Sequence, residues 1–316
     1  MRVLVTGGAG FIGSHLVERL LADGHRVRVL DDFSTGRREN LAFATPGAAL
    51  EVVTGDIRDP RAVRDAVGGM ALVFHEAALV SVPRSVEEPA LSCAINAHGT
   101  AHVFDAARRA GVRRIVFASS AAVYGDTAAL PVSEREPARP LSPYGLDKLY
   151  TERLAALAHA LYGVEAVPLR YFNVFGPRQD PSSAYSGVIS IFVSRLLAGS
   201  PITIHGDGEQ TRDFVYVSDV VEANVRAMFG PYPGPSPLNV ARGSRTTLNE
   251  LVTMLADIVG VIPHVTHGTP RAGDIRHSGA DITAVREALG YEPKWTVRDG
   301  LRALVEEVRA AATPKA

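Results

Sequence analysis

The sequence predicts a doubly wound parallel α/β sheet, and three observations carry that expectation. Residues 3–13 run Val-Leu-Val-Thr-Gly-Gly-Ala-Gly-Phe-Ile-Gly, a short apolar strand that breaks into glycines and resumes as an amphipathic helix. Short apolar runs then alternate with helical stretches as far as residue 118, the rhythm of strand-helix-strand units. A hydroxyl-bearing segment, Ser119-Ser120, follows the fifth such run, where ligands gather outside the carboxyl ends of strands.

The chain has 316 residues, enough for one large domain or two smaller ones. Its 33 basic and 34 acidic side chains leave a net charge of −1, and no basic run points to nucleic acid or an anionic membrane surface. No window of about 18 consecutive apolar residues predicts a membrane span. The single cysteine, Cys93, cannot form an internal disulfide, and Met1-Arg2 leads directly into a strand without a signal-peptide layout. The expectation is a cytoplasmic enzyme with no nucleic-acid or membrane partner.

Taken in order, the first strand turns through Gly7, Gly10 and Gly13 into a helix over residues 11–21, whose first amides point at an anion. That pattern reads as a dinucleotide site. Residues 25–30 form a second strand ending in Asp31-Asp32. An acid there accepts hydrogen bonds from the adenosine ribose and repels a 2′-phosphate, so Asp31 favours NAD over NADP. Residues 50–54 form a third strand, followed by Gly55-Asp56-Ile57 and a helix from about Asp59; Asp56 either caps that helix or meets the adenine amino group. A fourth strand over 71–74 ends in His75-Glu76-Ala77-Ala78, whose small residues let a cofactor lie close to the backbone. His75 reads as a packed histidine, because no second metal-type residue stands at a suitable spacing, and no metal site is expected. A helix over 89–110 carries Asn96, and 114–118 is the fifth strand.

Beyond Ser119 and Ser120 comes a proline-containing loop, then Ser142-Pro143-Tyr144-Gly145-Leu146-Asp147-Lys148, which opens a helix through 162. Tyr144 and Lys148 are four apart and share a helical face. Tyrosine, with a reference pKa near 10, is a poor base at neutral pH, but a nearby ammonium and an oxidised nicotinamide both favour the phenolate. Tyr144 is the expected acid/base.

These motifs resemble the extended short-chain dehydrogenase/reductase family, and most closely its nucleotide-sugar 4-epimerases of the UDP-glucose/galactose type. The resemblance covers Gly7 to Gly13, Asp31, Gly55-Asp56-Ile57, His75 to Ala78, Ser119 to Gly125, Tyr144 to Lys148, and Arg170-Tyr171-Phe172-Asn173-Val174-Phe175-Gly176-Pro177-Arg178-Gln179. It implies a Rossmann NAD-binding domain over 1–175 and a smaller mixed α/β UDP-sugar lobe over 176–316, with some later segments returning to the first. It implies Tyr144 as base, Lys148 on the nicotinamide ribose and Ser120 on the sugar O4. Phe11, Ile12, Asn96, Ser119 and Tyr171 surround the cofactor. Arg212 and Arg271 neutralise the diphosphate, Asp274 accepts the uridine ribose, and Asn173 touches phosphate or sugar. Ser278, four residues past Asp274, stands where better-known members place a bulky aromatic, so the sugar pocket is expected to be wider. A homodimer through the helices near 91–110 and 143–162 is implied as well.

In the second half, 180–187 reads as a polar loop, 188–197 as a helix, and 202–208 and 210–217 as strands. Ser218 is expected to cap a helix to 228. A loop follows at 230–235, a short strand at 238–240, and a capping box at Thr247-Leu248-Asn249-Glu250. Helices over 282–289 and 297–311 finish the chain.

The same scaffold serves 4-epimerases, 4,6-dehydratases and UDP-glucuronate decarboxylases, all of which begin by oxidising C4. Dehydratases and decarboxylases carry a glutamate three residues before the glycine of the serine segment, and dehydratases add an aspartate before it; here Ala121 and Ala122 stand there. Methyl groups cannot move a proton at C5 or C6. The expectation is therefore a 4-epimerase acting on a UDP-hexose, UDP-hexuronate or N-acetyl form, with the other two reactions as alternatives. A non-catalytic NAD-binding regulator ranks below them, since Tyr144 and Lys148 are both present.

Overall fold

The structure, a computed structural model, describes residues 1–45, 47–180, 187–270 and 275–312. The chain forms β1 (Arg2–Thr6), α1 (Phe11–Ala22), β2 (Arg26–Asp31), β3 (Leu50–Thr54), α2 (Pro60–Val67), β4 (Leu72–His75), α3 (Val82–Glu87), α4 (Pro89–Cys93), α5 (Thr100–Ala110), β5 (Arg114–Ser120) and α6 (Pro143–Tyr162). It continues through β6 (Glu165–Tyr171), β7 (Asn173–Phe175), α7 (Val188–Leu197), β8 (Ile202–His205), β9 (Thr211–Arg212), β10 (Phe214–Tyr216), α8 (Val217–Phe229) and β11 (Leu238–Val240). The remaining elements are β12 (Thr246–Thr247), α9 (Leu248–Val259), β13 (Val265–Gly268), α10 (Thr283–Leu289) and α11 (Val297–Ala312).

Seven strands form one parallel sheet in the order β11-β6-β5-β4-β1-β2-β3. The chain winds outward from β1 through β2 and β3, then crosses to β4 and winds the other way. The crevice of such a fold opens where the direction reverses, here between Thr6 and His75, which are register partners. Side chains alternate between two buried faces. Val3 and Val5 join Leu16, Val17 and Leu20 of α1 and Val220 of α8; Leu4 joins Val63 of α2 and Val103 of α5 on the other side. That is why the strands read as unbroken apolar runs.

A third core, built on Phe192, Ile204, Phe214, Leu251 and Leu301, belongs to the smaller lobe. Its strands pair only in twos: β7 with β10, β8 with β13, and antiparallel β9 with β12. A cut at residue 175 does not separate two bodies, because β11 extends the main sheet beside β6 and α8 packs on the face that holds α1.

Several expectations change. The helix over 89–110 is interrupted by a π-helical turn, Ala94–Gly99, and α3 precedes it. Tyr216 occupies the cap position of α8, without a side-chain hydrogen bond, so Ser218 lies inside the first turn. Thr247 and Glu250 do form the reciprocal capping box of α9. Strand β6 escapes the apolar pattern because it carries Pro168 and Arg170. Pro168 is tolerated just before the three residues that β11 pairs, and Arg170 is neutralised from α6. The polar segment 180–187 lies mostly outside the described residues.

Candidate active site

The glycine turn is tight for a definite reason. Gly7 has a φ of +68°, and a Cβ there would sit 2.6 Å from the Ala77 nitrogen; a Cβ on Gly13 would come within 2.1 Å of the Gly7 oxygen. Gly10 donates its amide to the Gly7 oxygen at 3.0 Å and stands at the α1 N-cap with no side-chain cap. The amides of Phe11, Ile12 and Gly13 thus begin a helix whose first turn holds no acid, an arrangement suited to a diphosphate. Asp31 closes β2 beside this turn. Its carboxylate accepts the Ala9 and Phe33 amides, each at 2.9 Å, while burial pushes its pKa up. Gly36 comes so close that a Cβ would lie 2.7 Å from Oδ1.

Of the two readings of Asp56, the cap is excluded: Asp59 caps α2 through the Arg61 amide. Asp56 accepts the Arg58 amide at 2.7 Å and its guanidinium at 2.8 Å, and that pairing holds its carboxyl below the usual range. Ile57 is buried against Gly99, where a Cβ would meet it at 2.7 Å. Ala77 and Ala78 are half-buried just past β4. Asn96, on the π-helical turn, accepts the Leu79 amide at 2.8 Å and donates to the Leu79 carbonyl at 3.1 Å, so its side chain pins the loop after β4. His75 bridges Thr6 Oγ1 (2.6 Å) and Thr100 Oγ1 (2.9 Å), and its pKa falls to about 3, chiefly through burial.

Successive residues of β5 point to opposite faces. Ser119 turns its hydroxyl to the buried Glu152, which also receives two bonds from Arg170 at 2.8 and 2.7 Å. Ser120, on the other face, acts on the Tyr144 phenol and favours its ionised form. Its Oγ also accepts the Ala122 amide at 3.1 Å, capping a short turn through Ala121, Ala122 and Val123. Tyr144 and Lys148 are buried, at 8% and 6% exposure, on the first turns of α6, which is capped by Ser142 through the Gly145 amide. The Lys148 ammonium donates to the Ala118 carbonyl at 2.7 Å and lies 5.8 Å from the Tyr144 ring centroid.

One expectation about this pair changes. In the chain by itself the Tyr144 pKa is raised, not lowered. Burial raises it, the Ser120 hydroxyl opposes the rise and Glu76 adds to it. Lys148 is itself depressed to about 8, because desolvation outweighs the nearby carboxylates.

On the substrate side, Asn173 opens β7 with an exposed side chain. Arg212 is half-buried on β9 and donates to the Thr211 carbonyl at 2.8 Å. Residues 276–278 run beside Thr211, with the Ser278 amide donating to its carbonyl at 3.1 Å, so Ser278 lies next to β9. Arg271 and Asp274 lie outside the described residues. No group of three or more potential metal-ligating side chains occurs among the described residues.

Sequence reasoning missed three positions. Glu76 receives the Tyr171 phenol at 3.0 Å. Asn224 of α8 donates to Tyr171 Oη at 2.7 Å. Asp213, fully buried, accepts the amides of Arg242, Gly243 and Ala280, tying the segment after Ser278 to β10. An acid inside an apolar strand was the available signal for Asp213; Asn224 comes from a distant helix and had none.

A doubly wound sheet with a glycine turn at its reversal point, and a serine, tyrosine and lysine converging at the next strand end, defines a nicotinamide-dependent enzyme of the short-chain dehydrogenase/reductase type. The chain belongs to the NAD dependent epimerase/dehydratase family, whose profile matches residues 3–241. It is 45% identical to a UDP-glucose 4-epimerase of Mycolicibacterium smegmatis over 98% of this chain and 99% of the relative. A UDP-glucose 4-epimerase of Thermotoga maritima, solved with UDP-glucose, is 39% identical and superposes with a TM-score of 0.94 over 99% of this chain and 100% of that one. A UDP-N-acetylglucosamine 4-epimerase of Methanobrevibacter ruminantium, solved with UDP-N-acetylmuramic acid, is 38% identical with a TM-score of 0.93, covering 98% of each chain.

Proposed function

We propose that this chain interconverts the C4 epimers of a UDP-sugar, using NAD as a resident cofactor. The observation that carries the reading is the placing of the Ser120 hydroxyl at the end of β5, where it acts on the buried Tyr144 phenol, followed at once by the methyl side chains of Ala121 and Ala122. The first pair suits proton transfer at a sugar hydroxyl. The second leaves no acid or base where elimination or decarboxylation relatives carry theirs.

Bound NAD would supply reversible hydride transfer at the sugar C4. The uncapped amides of Phe11, Ile12 and Gly13 would hold its diphosphate and Asp31 its adenosine ribose. Tyr144 takes the proton from the sugar O4 and later returns it, while Ser120 holds that oxygen and the phenol in line. Lys148 holds the nicotinamide ribose. Arg212, Arg271 and Asp274 anchor UDP, which leaves the sugar free to turn over between the two hydride transfers. The side chain of Ser278 leaves room beside the sugar for an N-acetyl group or a carboxylate, so UDP-glucose, UDP-N-acetylglucosamine and UDP-glucuronate are the substrates to compare.

The test is 4-epimer formation from each of these by purified protein without added NAD. A 4-keto-6-deoxy product or released carbon dioxide overturns the epimerase reading, and conversion unaffected by Tyr144→Phe overturns the assigned base.

A homodimer is proposed through α6. Leu146, Tyr150, Leu157 and Leu161 are all exposed on that helix and form an apolar surface a second copy would cover. Light scattering after gel filtration should give twice the chain mass, and Leu157→Glu with Leu161→Glu should reduce it to one. None of the described helices is long and apolar enough to cross a membrane; with Cys93 as the only cysteine, a cytoplasmic setting is proposed.

A further inference from the structure

Three neighbouring strands end at the crevice, and each delivers an ionisable or hydroxyl side chain. β5 delivers Ser120. β6 delivers Tyr171, the register partner of Ser120. β4 ends at His75, paired with Phe117, so Glu76 is the next residue along and stands abreast of Ala118, whose carbonyl holds Lys148. A carboxyl group therefore stands at the crevice end of the sheet, beside the Tyr171 phenol.

A directed relay orients it. Asn224 donates to the Val220 carbonyl at 2.8 Å and to Tyr171 Oη at 2.7 Å; Tyr171 Oη lies 3.0 Å from both Glu76 Oε1 and Asn224 Oδ1 and, while it accepts from the Asn224 amide, donates to Glu76. Glu76 has no cation in hydrogen-bond contact among the described residues, yet Lys148 and Tyr144 both feel its charge.

We propose that Glu76 is a positioning residue that governs the protonation of the Tyr144–Lys148 pair, so that proton transfer at the sugar oxygen is controlled by three coupled ionisable groups. This rests on the reading of Tyr144 as acid/base. When Glu76 is neutral, the phenol is opposed by its burial alone. When Glu76 is ionised, its charge adds to that burial and makes the phenol harder still to deprotonate. Burial pushes the Glu76 pKa up to about 7, against the opposing Tyr171 bond and Lys148 charge, so this change falls in the working pH range.

The other groups around it are accounted for. From α6, Asp147 and Glu152 also act on Lys148, but Glu152 is committed to Arg170 and Ser119, and Asp147 to Ser92. From β4, His75 stays neutral because its pKa is about 3. From β6, Tyr171 is held protonated well above its ordinary value, and from α8 Asn224 carries no charge.

The experiment compares the full-length wild type, Glu76→Gln and Tyr144→Phe. Glutamine keeps an oxygen for Tyr171 to donate to, so the relay survives while the charge is lost. Two readouts are taken: log kcat against pH for 4-epimer formation, and carbon-13 NMR of labelled glutamate carboxyls. The rising limb of the Glu76→Gln profile should move toward acid by about half a pH unit or more and become steeper. The carboxyl resonance missing from that variant should titrate in the wild type with a midpoint near 7, and Tyr171→Phe should move that midpoint higher. An unmoved limb, or a carboxyl that titrates in the ordinary glutamate range, overturns the inference. Retained turnover in Tyr144→Phe sinks the acid/base assignment instead, and the carboxyl titration still reports on Glu76 alone.

Discussion

Tyr144 and Lys148 stand one helical turn apart, but the chain does not use that spacing as an ion-assisted pair in isolation. Lys148 is engaged with the Ala118 carbonyl, and Tyr144 is held protonated by its burial. In the proposed reaction the phenol would become a base only when substrate and oxidised nicotinamide bring their own field to the crevice. Tyr144→Phe removes the proton carrier with one atom and should lower kcat by about a hundredfold to ten-thousandfold, with the urea midpoint of unfolding little changed. Activity within tenfold of wild type would argue against this role. The placing of Tyr144, Ser120, Asp31 and the three glycines at the strand ends and helix starts was legible in the sequence because their spacing reports the backbone geometry around them. Glu76, Asp213 and Asn224 were not. Their meaning depends on what lies opposite, and Asn224 meets Tyr171 across 53 residues of chain.

At the scale of elements, two joints decide the site's geometry. The first is the β1 turn. A methyl on Gly13 would lie 2.1 Å from the Gly7 oxygen, so Gly13→Ala must displace backbone. It should destabilise the protein by about 1–3 kcal/mol, as overpacking does, and weaken NAD binding measured by calorimetry at least tenfold. The second joint is the Glu152–Arg170 pair, both side chains only 5% exposed, which locks α6 to β6 and takes up Ser119 from β5. Glu152→Ala leaves Arg170 buried without its counter-charge and should cost about 3–5 kcal/mol in denaturant unfolding. A loss below about 1 kcal/mol would mean that water or another acid replaces the pair. The interrupted helix 89–110 belongs here too. Periodicity marks a continuous helix, but an inserted residue in a π-helical turn leaves the apolar pattern nearly intact while reorienting Asn96 toward Leu79.

For the molecule as a whole, burial of ionisable groups couples folding to pH. His75 is neutral in the fold with a pKa of about 3, against an ordinary value of 6.5. A depressed histidine contributes stability that is complete above pH 6.5 and is lost as pH falls toward 3, since only the unfolded chain takes up the proton in that window. Replacing it by His75→Gln, which can still bridge Thr6 and Thr100, should make the acid-side decline in unfolding free energy shallower by about 1.4 kcal/mol per pH unit. Parallel slopes for the two proteins between pH 6 and 4 would show that His75 is not the acid-sensitive group.

By itself the sequence determined the parallel sheet, the dinucleotide turn and the Ser120–Tyr144–Lys148 constellation. Each of these is encoded locally, in strand runs, glycine spacing and one helical turn. Tertiary structure alone decided that β6 belongs in the sheet despite Pro168 and Arg170, and that β11 and α8 return from beyond residue 175 to complete it. It also decided that Ser119 faces Glu152 while Ser120 lies on the opposite face, and that Glu76 meets the Tyr171 phenol at the crevice. The physical reason is the same in each case. A buried charge or an atypical strand residue is tolerated only when a distant partner offsets its desolvation, and spacing along the chain carries no record of that partner.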